Sequence, residues 1–251
     1  MGLPERKTPV SVAEYVLSVL DASERTPYIG EDISQLQHSL QAAAQAASTT
    51  PPVDELTQVA ALLHDIGQFT PAADLRALTG GEAKNLGGQA ASQSVGRVGH
   101  ETLGGAMLLA LGFPEKVARL VESHVASKRY LCAVDVSYYD RLSDASRKSL
   151  MYQGGPMSGA EKDEFTAGEW CQEMCQLRKW DDAAKEKDLR VRDLESWRPV
   201  IEGILITSPS EHESKLVSGV RPGLLKPYHD IVKTGQLVTS SSRVARPFAP
   251  F

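Results

Sequence analysis

Cysteine is scarce in this chain. Cys132, Cys171 and Cys175 are the only three in 251 residues. An odd number of thiols in a chain too large to need staples excludes a disulfide scaffold and fits reduced cysteines in a cytoplasmic protein. Cys171 and Cys175 share a helix face at i,i+4 spacing, but a metal site is not expected there. Long apolar runs are missing as well. The N-terminus "MGLPERKTPVSVAEYVLSVLDAS" has no basic stretch followed by a continuous apolar one, so neither a membrane span nor a secretory leader is expected. Arg6 stands where a Ser or Thr would favour myristoylation, so a lipid anchor is not expected. No block of one charge sign stands out either. With 27 basic and 32 acidic residues the net charge is −5, and the chain has no electrostatic footprint for nucleic acid. A monomer or small homo-oligomer acting on a small molecule is the class that remains.

Runs of alternating β-branched residues are nearly absent, whereas helical periodicity extends from residue 11 to about 205, so the expected fold is all-α. Residues 30–47 carry Ile33, Leu36, Leu40 and Ala43 or Ala44 on one stripe. Residues 53–66 read as a second helix ended by Gly67. The stretch 70–99, rich in Gly, Ser and Ala, reads as a long, partly irregular connection. Pro114 suits the first position of the next helix, on which Val117, Leu120, Val121 and His124 share a face. "RLSDASRKSLMYQ" forms another helix stopped by Gly154 and Gly155. Ser158 with Glu161 makes a capping-box pattern that announces one long helix to about residue 186, with Met174, Leu177 and Asp181 facing inward. Residues 1–206 thus form the core domain, and 207–251, where periodicity is lost, an extension of unknown role.

Six histidines are present, and four of them, His38, His64, His100 and His124, fall on four separate helices at core-facing or helix-end positions. A single buried histidine is usually a satisfied core residue. Four, joined by Asp65 and the inward Asp181, are costly to bury unpaired, because buried polar groups need partners and carboxylates need counter-charge. A metal cluster supplies both. Imidazole and carboxylate without thiolate suit iron, manganese or zinc, and helix-bundle cores are standard places for dinuclear sites of this kind. Six ligands exceed what one metal with open positions requires. They suffice for two if one carboxylate bridges. Nearby, Lys128 follows His124 by four residues and faces the same way. Ser146, Ser149 and Gln153 make a polar stripe, and Arg178 lies one turn before Asp181. These donors could surround an oxyanion, or form an ordinary solvated stripe.

His38, His64-Asp65 and Asp181 resemble the H…HD…D signature of the HD-domain superfamily, most of whose members are metal-dependent phosphohydrolases. His100 in "GHETLGG" and His124 in "ESHVASKRYL" are additional, and resemble the branch that binds two irons and uses oxygen. Within it, "YIGEDISQLQHSLQAA", "LLHDIGQF", "SDASRKSLMYQGGPMS" and "QLRKWDDAAK" look more like the phosphonate-cleaving dioxygenases than like myo-inositol oxygenase. The likeness covers about residues 11–190. It implies an HD-domain helical bundle enclosing a mixed-valent Fe(II)/Fe(III) pair, with O2 as co-substrate. One iron would take His38, His64, Asp65 and Asp181. The other would take His100, His124 and a shared, bridging Asp65. Asp182 is the nearest competitor for the role of Asp181. The likeness further assigns substrate contacts to Lys128, Ser146, Ser149, Gln153 and Arg178. Tyr28 and Glu31, in "PYIGE", resemble a pair that sits over the site and responds to substrate. The implied reaction cleaves the C–P bond of a small anionic 1-hydroxyalkylphosphonate, such as 2-amino-1-hydroxyethylphosphonate or its N-methylated analogue, to phosphate and a carboxylic acid. The alternatives are hydrolysis of a small phosphate ester, which leaves His100 and His124 surplus unless that site too is dinuclear, C–C cleavage of a cyclitol, which Lys128 and Arg178 disfavour, and an inactive anion-sensing module.

Overall fold

The computed structural model describes residues 2–28, 30–79 and 97–207. Helices build all of it; the sole β-type pairing among the described residues is a bridge between Pro27 and Ser34. The helix order is α1 (Pro9–Ala22), α2 (Gln35–Ser48), α3 (Glu55–Leu63), α4 (Ile66–Phe69), α5 (Ala72–Leu78), α6 (His100–Ala110), α7 (Glu115–Val134), α8 (Val136–Arg141), α9 (Asp144–Tyr152), α10 (Gly159–Thr166), α11 (Cys171–Ala183) and α12 (Arg198–Thr207). Among the described residues no helix is long and apolar enough to cross a membrane.

Local chemistry sets most of the starts. Thr8 caps α1 in a box with Ser11, with Pro9 as the first helical residue, and Ser34 caps α2 in a box with Gln37. Each box satisfies two backbone or side-chain donors that a bare helix end leaves orphaned. Asp54 and Ser143 cap α3 and α9 in the simpler way. The longest helix, α7, is central and packs against α3, α6 and α11. The core at these contacts includes Leu62, Leu63, Leu103, Met107, Leu120, Val121 and Leu177, and each such side chain withdrawn from water contributes about 1.5–3 kcal/mol. Close approach of α6 to α7 requires Gly105, where a Cβ would stand 2.9 Å from the Ala118 carbonyl oxygen.

Four boundaries differ from those the sequence pattern suggests, each for a local reason. The helix expected over 30–47 starts only at Gln35, because the bridge and the positive φ of Gly30 (85°) fold the preceding residues into a turn. Ile33 is buried from that turn rather than from a helical stripe. The helix expected over 53–66 stops at Leu63, and Gly67 lies inside α4 instead of ending it. The long helix expected from Ser158 divides into α10 and α11 around Gly168, although the Ser158–Glu161 box forms as expected. Leu142 precedes α9 and packs with Leu131, Cys132, Tyr138 and Leu150 in a small second cluster. The three cysteines are free thiols. Of the Gly-rich connection, 80–96 lies outside the described residues, as does 208–251 of the expected extension.

Gly67 is the tightest point of the fold. A Cβ there would collide with the carbonyl oxygen of His100 and come within 2.8 Å of the Gly104 nitrogen, both backbone atoms that have nowhere to retreat. Gly67→Ala is expected to cost about 3 kcal/mol, at the upper end of the usual range for overpacking. Gly159→Ala, where a Cβ meets nothing within 4 Å, should instead stabilise by about 0.4–1 kcal/mol through the unfolded chain. Urea unfolding of the two variants checks both signs.

Candidate metal centre

Five elements converge on one buried point. The first turn of α2 presents His38, the break between α3 and α4 presents His64 and Asp65, the first residue of α6 is His100, α7 supplies His124, and the last turn of α11 supplies Asp181. All six side chains are buried. The break has a purpose in this geometry. Asp65 adopts φ −98° and ψ 7°, the sparsely used bridge region, and this turns its carboxylate out of the helix path.

Each imidazole is held from behind by a main-chain carbonyl. His38 Nδ1 donates to Ala184 O at 2.8 Å, His64 Nδ1 to Ala61 O at 2.8 Å, His100 Nδ1 to Arg97 O at 2.9 Å and His124 Nδ1 to Val121 O at 2.7 Å. A carbonyl can only accept, so the proton belongs on Nδ1 and a lone pair is left on Nε2. The Nε2 atoms then meet in two pairs, His38 with His64 and His100 with His124, each at 3.0 Å. Facing lone pairs repel unless a cation stands between them. A separation near 3 Å is that of adjacent ligands on one ion with bonds of about 2.0–2.2 Å.

Asp65 links the pairs. Its Oδ1 lies 3.2 Å from His100 Nε2 and 3.5 Å from His124 Nε2, while its Oδ2 lies 3.7 Å from His64 Nε2 and 3.9 Å from His38 Nε2. Asp181 Oδ1 joins the first pair, 3.3 Å from His38 Nε2 and 3.9 Å from His64 Nε2. Two groups able to hold an ion therefore share one carboxylate, and neither contains sulfur. This donor set fits two first-row ions with one bridging ligand. Electrostatics agrees with it. Burial opposes ionisation of Asp65, but the surrounding imidazoles, His64 foremost, hold its carboxyl far below the usual range. Burial and the neighbouring His100 push His124 down to about 3, which keeps it neutral as a ligand must be. His64 is lowered by burial too, whereas His100 is raised, because Asp65 and Glu101 outweigh the burial that opposes them.

Contacts behind these side chains fix them further. Arg97 bonds the Gly67 and Thr70 carbonyls through its guanidinium, and its backbone nitrogen donates to Gln68 Oε1 at 2.7 Å. This ties the start of α6, and so His100, to α4. Arg178 donates to Asp181 Oδ2 at 2.6 Å and grips Asp182 through both Nε and Nη2. Tyr138 donates to Asp182 and accepts from Arg178 Nε at 3.2 Å. Asp182 thus braces Arg178 and does not face the imidazoles. Arg178 lines the cavity, yet Nε, Nη1 and Nη2 are each engaged within the protein. Burial works against ionising Asp181, and the guanidinium beside it more than compensates, holding the carboxyl well below its ordinary value.

A cavity of about 90 Å³ opens beside Asp65, His100, His124 and Asp181. Lys128, Ser146, Ser149, Gln153, Arg178, Tyr28 and Glu31, the residues singled out from sequence for substrate, all line it. Lys128 Nζ donates to Ser149 Oγ at 2.7 Å, and burial, helped by Arg178, pushes its ammonium down to about 7. The Tyr28 ring stacks on His38 with centroids 3.8 Å apart, and its hydroxyl lies 3.4 Å from Asp181 Oδ1. Gln153 and Gln35 each direct a buried, unpartnered side-chain oxygen at this region. Sequence reasoning missed Gln35, Gln68, Ser143 and Lys185 in the wall, and Tyr138 behind it. Ser143 was recognisable as a cap candidate, and Tyr138 belongs to a short helix with no apolar stripe to reveal it.

If the two imidazole pairs hold two ions, removing one pair should leave the other working. His124→Ala, which removes a donor from one of the two groups, is expected to halve the metal bound per chain, measured by elemental analysis of protein reconstituted with a divalent first-row ion. An unchanged stoichiometry would place the second ion elsewhere.

The HD domain family profile matches residues 36–145. The chain is 32% identical over 192 residues to the [1-hydroxy-2-(trimethylamino)ethyl]phosphonate dioxygenase (glycine-betaine-forming) of Leisingera caerulea, an alignment spanning 76% of this chain and 89% of that protein. It is 37% identical over 178 residues to the hydroxymethylphosphonate dioxygenase of Gimesia maris, spanning 71% and 81%. An uncharacterised protein of Acanthamoeba polyphaga mimivirus is 30% identical over 183 residues, spanning 73% and 77%.

Proposed function

The chain belongs to the family of HD-domain phosphonate dioxygenases, and on that premise we propose that it is a di-iron enzyme cleaving the C–P bond of a 1-hydroxyalkylphosphonate. The products are phosphate and the carboxylic acid of the remaining carbon chain. One O2 balances the reaction, as the C–P bond is replaced by a new C–O and a new P–O bond and one proton is released. The observation that carries this reading is Asp65, whose two oxygens face different histidine pairs. A mononuclear hydrolase has no use for the second pair.

Two irons bound there, as Fe(II)/Fe(III), would supply a redox centre that relays electrons from substrate to O2 and an oxygen-binding position. His38, His64, Asp65 and Asp181 would hold one. His100, His124 and Asp65 would hold the other, which keeps more positions open beside the cavity for the substrate's hydroxyl and a phosphonate oxygen. The remaining work belongs to side chains. Lys128 places an ammonium on the cavity wall at the height of His124, one helical turn along α7, and Ser149 orients it. Ser146 and Gln153 add polar atoms on the same side. Arg178 contributes positive charge from the cavity lining, with part of its guanidinium engaged by Asp181, Asp182 and Tyr138. Tyr28 covers His38 and limits the water that reaches it.

Purified, iron-loaded protein should consume O2 and release phosphate from hydroxyalkylphosphonates, with a mixed-valence EPR signal in the resting enzyme. Phosphate release that continues without O2 would assign hydrolysis instead. Because Lys128 is held at about 7, its charged form declines as pH rises through that value. Activity reporting the free enzyme, kcat/KM, should accordingly fall between about pH 7 and pH 9 as the anion loses its partner. Lys128→Met should lower kcat/KM at least about tenfold at neutral pH, the cost of one charge-assisted hydrogen bond, and should flatten that decline.

A further inference from the structure

Resting on the reading above, we infer that the Lys185–Glu31 ion pair in the cavity wall makes this enzyme select 1-hydroxyalkylphosphonates with a short, uncharged tail over those carrying an amine or a trimethylammonium. Both residues line the cavity, with Lys185 Nζ 3.8 Å from Glu31 Oε1 and 3.5 Å from Ser143 Oγ. Both are mostly withdrawn from solvent, with side chains 16% and 24% exposed. Charges so placed are screened far less than surface charges.

Lys185 is held by its backbone on either side. The carbonyl of Ala184 accepts from His38, and Glu186 exchanges two hydrogen bonds with the Gln41 side chain, at 2.9 Å and 2.7 Å. The segment carrying Lys185 is therefore docked on α2. Glu31 is likewise placed by a turn, in which its nitrogen donates to Tyr28 O at 3.2 Å. A carboxylate alone in the wall of a phosphonate pocket would attract an ammonium tail. With an ammonium of the protein already beside it, a cationic tail meets a like charge and must displace it.

Two further features point the same way. Recognition of a quaternary ammonium needs open aromatic faces. Among the described lining residues Tyr28 is the one phenol or phenyl ring, and one of its faces is covered by His38. The space is also small, about 90 Å³, against roughly 150 Å³ for an engineered cavity that admits benzene.

The test compares two substrates of nearly one shape that differ in charge, 1-hydroxypropylphosphonate and 2-amino-1-hydroxyethylphosphonate, by kcat/KM with the iron-loaded, full-length protein. The wild type should favour the uncharged compound. Lys185→Met should raise the ratio of amine to uncharged turnover by about tenfold or more, the order expected when one like charge is removed from a half-buried site. Adding Glu31→Gln to Lys185→Met should cancel that gain. Because each ratio is taken within one preparation, partial misfolding of a variant divides out. A wild type that prefers the amine, or a ratio that Lys185→Met leaves unchanged, overturns the inference while leaving the oxygenase reading intact. Failure of the wild type to turn over both compounds and hydroxymethylphosphonate as well overturns the oxygenase reading, and this inference with it.

Discussion

Four buried imidazoles whose lone pairs all face inward cannot be stable neighbours without positive charge among them, and the rest of the molecule is organised around that requirement. The four carbonyls of Ala61, Arg97, Val121 and Ala184 decide it, because each fixes a proton on Nδ1 and so commits the opposite nitrogen to the centre. Asp65 then divides its oxygens between the two pairs. Hydrogen bonds of this kind orient ligands and raise their basicity, and losing them typically weakens a metal as much as moderate damage to the ligands themselves. Three of the four carbonyls lie three residues before their own histidine. Register along the chain is therefore part of the site.

The packing follows from the same demand. Asp65 can turn inward only if the helix that carries His64 breaks, and the break brings Gly67 against the start of α6, where His100 sits. No side chain fits there. Arg97 then clamps α4 to that start with three hydrogen bonds. On the other side of the centre, α11 delivers Asp181 with one oxygen tied to Arg178 and the other free to face His38. A buried carboxylate with no cation behind it would gain a proton or swing away.

Much of this was legible in the sequence. The all-α class, the inward stripe ending at Asp181, and the co-occurrence of His38, His64, His100 and His124 on separate helices came from periodicity and from the cost of burying polar groups. The polar stripe at Ser146, Ser149 and Gln153, which lines the cavity, came from spacing, and its assignment to substrate came from the resemblance. What spacing could not show is anything that depends on a backbone departing from its helix. Gly67 has the appearance of a stop signal, and only the proximity of α6 explains it as a spacer. The end of the helix at Leu63 has no punctuation in the sequence, because the bridge-region backbone of Asp65 is imposed by the site. Lys185 was missed because it lies past the end of α11, where helical periodicity no longer says which way a side chain points. Residue type and the resemblance place Arg178 among the donors to an anion; the structure keeps it in the cavity lining and adds partners that spacing does not show, Tyr138, Asp181 and Asp182.

That last difference shifts where the charge for an anionic substrate comes from. An arginine whose three nitrogens already serve Asp181 and Asp182 sets one guanidinium against two carboxylates, so the cluster keeps no net positive charge. It offers a phosphonate little net attraction beyond its long-range field. Among the described lining residues Lys128 is then the cation not already set against a carboxylate, and it is a costly one, since burial beside Arg178 pushes its ammonium down to about 7. A group so poised gains a great deal when a dianion arrives, because the incoming charge restores the ammonium that burial had weakened. The anion therefore meets a lysine whose charge depends on it, while elsewhere in the wall Lys185 is already balanced by Glu31. One cavity thus holds two lysines with opposite tasks, one whose charge completes on binding and one whose charge is spent in excluding a competitor.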